Sequence, residues 1–74
     1  MPTEFSFEIV QELGVLSESP TGWRKELNLV SYNGKPAKYD IRDWSPDRAK
    51  MGKGATLTAD EMILLRDMLS EIDI

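Results

Sequence analysis

Neither histidine nor cysteine occurs among the 74 residues. Their absence removes the commonest general base and metal ligand, the thiolate nucleophile and any disulfide framework. Thirteen carboxylates remain, but a carboxylate pair acts as acid and base only in a particular burial pattern, which spacing alone does not supply. Gly52-Lys53-Gly54 lacks the glycine separation and the closing Lys-Ser/Thr of a phosphate loop. These residues point away from catalysis, and they imply no metal, cofactor or small-molecule substrate. The expectation is a protein that is not an enzyme.

The middle of the chain interleaves bases with aromatic rings, and that combination suits an unpaired nucleic-acid strand. Lysine and arginine track phosphates, while each exposed ring offers a stacking surface worth ~1–3 kcal/mol per base. Arg24, Lys35, Lys38, Arg42 and Lys53 are the candidate phosphate contacts, with Lys50 as a helper from the loop. Tyr32, Trp23 and Trp44 are the candidate platforms, and Asn28 is placed to hydrogen-bond a base edge. The net charge of −4 hides this region, because residues 21–54 carry eight bases against four acids. Both flanks are acidic: four acids and no base over residues 1–20, and five acids against Arg66 over residues 55–74. Duplex DNA is a poorer ligand, since the one helix expected is acidic and would not enter a major groove.

The elements that position these residues follow from hydrophobic period and turn chemistry. Residues 5–17 alternate through Phe5, Phe7, Ile9 and Leu13, which predicts a half-buried strand with a bulge or bend near Gly14. Ser19-Pro20-Thr21-Gly22 is a turn. A second strand runs from Trp23 to Tyr32, with Leu27 and Leu29 marking its core side and Arg24, Glu26, Asn28, Val30 and Tyr32 on the other. Asn33-Gly34 predicts a type I′ hairpin. In the third strand, Ala37 to Trp44, Tyr39 and Ile41 join the core side, while Lys38, Asp40, Arg42 and Trp44 face away. Parity opposite to the leucines predicts exposure for Tyr32. Ser45 to Gly54 reads as a loop and Ala55 to Leu57 as a short strand. Thr58-Ala59-Asp60-Glu61 then forms a capping box, opening a terminal helix with Met62, Leu65, Met68, Leu69 and Ile72 in one apolar stripe.

The expected architecture is therefore α+β, a curved four-stranded antiparallel sheet followed by one C-terminal helix, in a single domain over residues 1–74. A chain of this length buries only ~60% of its unfolded surface. Without disulfides or metals, self-association is the usual remedy, so a homodimer is expected. The helix is also more apolar than one sheet face requires. No stretch suits a membrane span, and Met1-Pro2-Thr3-Glu4 lacks the basic-then-apolar pattern of a signal peptide. A cytoplasmic setting is expected.

Asp40-Ile41-Arg42-Asp43-Trp44, followed by Lys50-Met51-Gly52-Lys53-Gly54-Ala55-Thr56-Leu57-Thr58, resembles the positive cofactor four family of transcriptional coactivators, in particular its bacterial YdbC-type branch. The likeness runs from the first strand to Ser70-Glu71-Ile72-Asp73. It implies a dimer whose two β-ribbon grooves hold single-stranded DNA with little sequence preference, in transcription, replication or repair. Carried over position by position, it places the family's hairpin aromatic at Tyr32, its hairpin lysine at Lys35, its strand arginine at Arg42 and its loop lysine at Lys53. The chain departs from the family pattern at Asn33, where a lysine is common, and in the segment Lys35 to Tyr39, which is one residue longer. The tryptophan after Asp-Ile-Arg is displaced by one, at Trp44, and the basic, serine-rich tail of eukaryotic members is absent.

Two rival expectations stand beside single-stranded DNA. RNA would meet the same basic and aromatic surface, since no residue here identifies a contact to a 2′-hydroxyl. A protein-interaction module would use the basic face for an acidic partner, or an edge strand for a peptide.

Overall fold

The computed structural model describes residues 5–74; Met1 to Glu4, including the acidic start and the Glu4 charge, lie outside the described residues. Four strands, β1 (Phe7–Glu18), β2 (Arg24–Tyr32), β3 (Lys38–Trp44) and β4 (Met51–Leu57), form one antiparallel meander in chain order, followed by helix α1 (Ala59–Ser70). This is the expected α+β architecture. Among the described residues no helix is long and apolar enough to cross a membrane.

The turns obey their local chemistry. Asn33 and Gly34 both take positive φ, 53° and 73°, and the Lys35 amide donates to the Tyr32 carbonyl at 3.0 Å, closing the tight hairpin. Gly22 has φ 89°, and a Cβ there would lie 2.9 Å from Pro46 Cγ, so both conformation and space demand glycine. That contact seats the β1–β2 turn against the β3–β4 loop. At the head of α1 the Glu61 amide donates to Thr58 Oγ1 at 3.2 Å, and the Thr58 amide donates to Glu61 Oε1 at 2.8 Å. Asp60 and Glu61 add negative charge where the helix dipole is positive.

Two strands differ from their sequence reading. The register of β1 against β2 shifts between Ile9 and Gln11, between Glu12 and Gly14, and between Val15 and Ser17. The expected single bend is thus three irregularities, and each adds twist. β4 starts at Met51 rather than Ala55, because the glycines that weaken its hydrophobic pattern are what let it approach β3. A Cβ on Gly54 would collide with Arg42 and the Ile41 carbonyl.

Register assigns the faces. Phe7, Ile9, Glu12, Val15 and Glu18 sit opposite Tyr32, Val30, Asn28, Glu26 and Arg24, and those in turn share a side with Asp40, Arg42 and Trp44. We call this the tyrosine face. Leu27, Leu29, Tyr39 and Ile41 lie on the other, the leucine face, where α1 packs beside Tyr39 through Ala59, Met62 and Ile63.

The core does not sit where the leucines predicted. Leu27, Leu29 and Ile41 are half-buried, while the fully buried side chains, Val30, Trp44, Asn28 and Asp40, belong to the tyrosine face. The curl of the sheet explains the inversion. Phe7 and Trp44 are ladder partners of opposite ends of β2, Tyr32 and Arg24, yet their ring centroids are 5.1 Å apart. A sheet curled toward its tyrosine face closes over the residues there, whatever their polarity.

Candidate nucleic-acid interface

The tyrosine face is organised around one buried carboxylate. Asp40, with no exposed surface, accepts from Arg42 Nε at 2.7 and 2.9 Å and from the Tyr32 hydroxyl at 3.0 Å. Arg42 Cζ lies 5.2 Å from the Tyr32 ring centroid, within cation–π range. Its Nη1 also donates to the Gly52 carbonyl at 3.4 Å, tying β4 to the cluster. Burial, then the hydrogen bond and charge of Asp40, push the Tyr32 hydroxyl up to about 12 from its ordinary 10.0. The hydrogen bond to Asp40 outweighs desolvation at Arg42 and holds its guanidinium above the ordinary arginine value. Tyr32 and Arg42 thus form one rigid unit.

A second cluster lies toward the β3–β4 loop. Glu26, 2% exposed, accepts from Asn28 Nδ2 at 3.0 Å and pairs with Arg48 at 3.1 Å. Arg48 also pairs with Glu12 of β1. Its φ of 59° is left-handed, a conformation costing an L-residue ~1–2 kcal/mol. The loop imposes it: Arg48 N donates to the Ser45 carbonyl at 2.9 Å, and Asp47 accepts from Ser45 Oγ at 2.7 Å and Ala49 N at 3.0 Å. Those two bonds hold the Asp47 carboxyl below its ordinary pKa, the backbone one contributing more. At Arg48, burial lowers the pKa, but its carboxylate partners Glu12 and Glu26 outweigh that and raise it.

Three predicted contacts are corrected in exposure. Trp44 is fully buried, so its ring presents no open surface to a base; the bend of the sheet encloses it against Phe7. Its Nε1 is buried without a partner among the described residues, an omission costing ~1–3 kcal/mol. Asn28 is 1% exposed, with its amide committed to Glu26, so no base edge reaches it in this arrangement. Tyr32 is half-buried rather than exposed, held down by its hydroxyl. Trp23 is half-buried at the end of the β1–β2 turn, away from the Tyr32 unit.

The cations divide by type. Among the described residues Arg24, Arg42, Arg48 and Arg66 all pair with carboxylates, Arg24 with Glu18 at 2.9 Å. Lys35, Lys38 and Lys53 are exposed, with no carboxylate in ion-pair range among the described residues. Lys35 lies in the hairpin beside Tyr32 and Lys38 opens β3, while Lys53 adjoins Gly54, the ladder partner of Arg42.

One aromatic escaped the sequence reading. Phe5, 62% exposed, lies 5.9 Å from the Tyr32 ring centroid and 6.3 Å from that of Phe7. The Ser6 amide donates to Asn33 Oδ1, and the Asn33 amide to the Ser6 carbonyl, each at 2.9 Å, fastening this segment to the hairpin. The signal was present, since Phe5 shares parity with Phe7, but nothing local placed it against Tyr32.

The curled antiparallel meander thus carries an aromatic pair beside exposed lysines, the stacking surface and positive charge that an unpaired nucleic-acid strand requires. The profile of the family described as Transcriptional Coactivator p15 (PC4) matches residues 19–68, and the chain belongs to that family of nucleic-acid-binding coactivators. A protein of Treponema pallidum (strain Nichols), described as uncharacterized, is 51% identical over 71 residues, covering 96% of this chain and 84% of the relative.

Proposed function

We propose that this protein is a non-catalytic, single-stranded-DNA-binding protein with little sequence preference, acting as a cytoplasmic homodimer in transcription, replication or repair. The observation that carries this reading is the Phe5–Tyr32 ring pair flanked by Lys35 and Lys38. Bases stack on the rings, Phe5 being the open one. Lys35, Lys38 and Lys53 neutralise phosphates, with Arg24 at the rim, while Arg42 adds charge and holds Tyr32 in place. Stacking and charge neutralisation both ignore base identity, hence the weak preference.

The dimer rests on the leucine face. No residue of α1 is buried, and its Ile63, Leu64, Met68 and Leu69 are 46–60% exposed; Ile72, expected on the same stripe, lies past the helix end at Ser70. An apolar helix surface of that kind marks an association site, and a second copy supplies the missing layer over the half-buried leucines.

Fluorescence anisotropy with a labelled oligothymidylate at two salt concentrations tests the reading. Affinity should fall steeply with salt as counterions are released, and Phe5→Ala should weaken binding by roughly fivefold or more, the loss of one stacked base. Salt-indifferent binding, or a Phe5→Ala protein that binds unchanged, would favour an acidic protein partner. Tighter binding to the equivalent RNA would reassign the substrate.

A further inference from the structure

Arg48 stands outside the contacts assigned above, although it ties the β3–β4 loop to both β1 and β2. Its two carboxylate partners are unequal. The Glu26 side chain is 3% exposed, sealed beneath the sheet's curl, and cannot be exchanged for a bulky anion. That of Glu12 is 60% exposed, and the Arg48 side chain is 33% exposed. Glu12 is the ladder partner of Asn28, so the pair lies on the tyrosine face, as Tyr32 and Arg42 do. Beside it opens a cleft of about 230 Å³ whose polar lining is Glu12, Glu26, Asn28, Arg24 and Arg48, with Leu13 and Val15 of β1 along one wall.

We propose that Arg48 is a phosphate contact held in check by Glu12. A phosphodiester offers the planar guanidinium the same paired oxygen acceptors as a carboxylate. The outer ion pair is solvent-exposed and therefore weak. A bound strand replaces Glu12 at Arg48, while Glu26 remains as the permanent counter-charge and keeps the guanidinium aimed at the cleft. The β3–β4 loop is closed by its own hydrogen bonds with Arg48 already in its left-handed conformation, so only the Glu12 side chain has to move. Glu12 therefore acts as a built-in competitor, setting affinity below what the surface can reach.

This inference rests on the single-stranded-DNA reading, and the experiment separates the two. Wild type, Glu12→Gln, Arg48→Gln and the double variant are titrated with labelled oligothymidylate across a salt series, each checked for fold by circular dichroism. Glu12→Gln should bind roughly two- to fivefold tighter, the size of one exposed ion pair. Arg48→Gln should bind more weakly and lower the log–log salt slope by about 0.7, one single-strand phosphate. In the double variant the Glu12→Gln gain should vanish, since Glu12 acts through Arg48. A gain that persists without Arg48 would reduce Glu12 to general repulsion and overturn the proposal, as would a Glu12→Gln protein that binds like wild type. Should Arg48→Gln unfold, the Arg48 Nε–H resonance of the wild type decides: it should shift on adding oligonucleotide, and a stationary signal refutes the contact. Failure of the wild type to bind at all would remove both readings, whereas binding with an indifferent Glu12 removes this one only.

Discussion

The two faces of the sheet divide hydrophobicity and burial in opposite ways. The tyrosine face carries Glu26, Asn28, Asp40 and Arg42, and it is the more deeply enclosed. The leucine face carries Leu27, Leu29 and Ile41 and stays half-open, with α1 over only the β3–β4 side. A polar face tolerates enclosure because its charges satisfy one another: Asp40 with Arg42 and Tyr32, Glu26 with Arg48 and Asn28. An apolar face tolerates exposure only if something else covers it. The contrast teaches that in a thin domain, 18 Å across its narrowest extent, curvature rather than hydropathy decides which side is interior.

The largest effect should come from breaking the enclosed face. Arg42→Ala leaves the Asp40 carboxylate buried without its counter-charge, a loss of about 3–5 kcal/mol, read as a lower urea midpoint. An unchanged midpoint would mean that Asp40 is not the organising group of that face. On the open face, Leu64→Glu with Met68→Glu should leave the protomer's circular dichroism intact while weakening self-association by at least about 30-fold, from roughly 2 kcal/mol of apolar burial per side chain. Sedimentation velocity measures this, and a dimer that persists would place the interface elsewhere.

The smallest effect is read through pH. The Tyr32 hydroxyl is raised in the fold to about 12 from 10.0, so the folded state holds this proton more tightly than the unfolded state. Its contribution to stability is complete below pH 10 and is lost as pH rises through about 12. Tyrosinate absorbance of the wild type minus Tyr32→Phe should titrate near that upper value. A difference curve centred at the ordinary value would show that the Asp40 contact is not maintained in solution.

How much was legible depends on the range of the interaction. Asn33-Gly34, Gly22 and the Thr58–Glu61 box were readable because each is decided within a few residues. Strand parity correctly grouped Tyr32 with Arg42 and separated both from Leu27 and Ile41. The depth of Trp44 was not readable, because it depends on Phe7, thirty-seven positions earlier in the chain, arriving through the bends of β1. The same holds for Phe5 against Tyr32, and for Arg48 reaching Glu12 and Glu26 from a loop that looked like solvated polar sequence.

The amino-acid order alone settled the number and type of elements, the turns between them and the side of the sheet on which Arg24, Tyr32 and Arg42 stand, since period and turn chemistry act through neighbouring residues. Which of those groups are pinned and which are available was set by the packing of the folded chain. Arg24 reached Glu18 and Arg48 reached Glu12 and Glu26, because those pairs require approach between elements and the curl of the sheet sets that distance, while among the described residues no lysine lies within ion-pair range of a carboxylate.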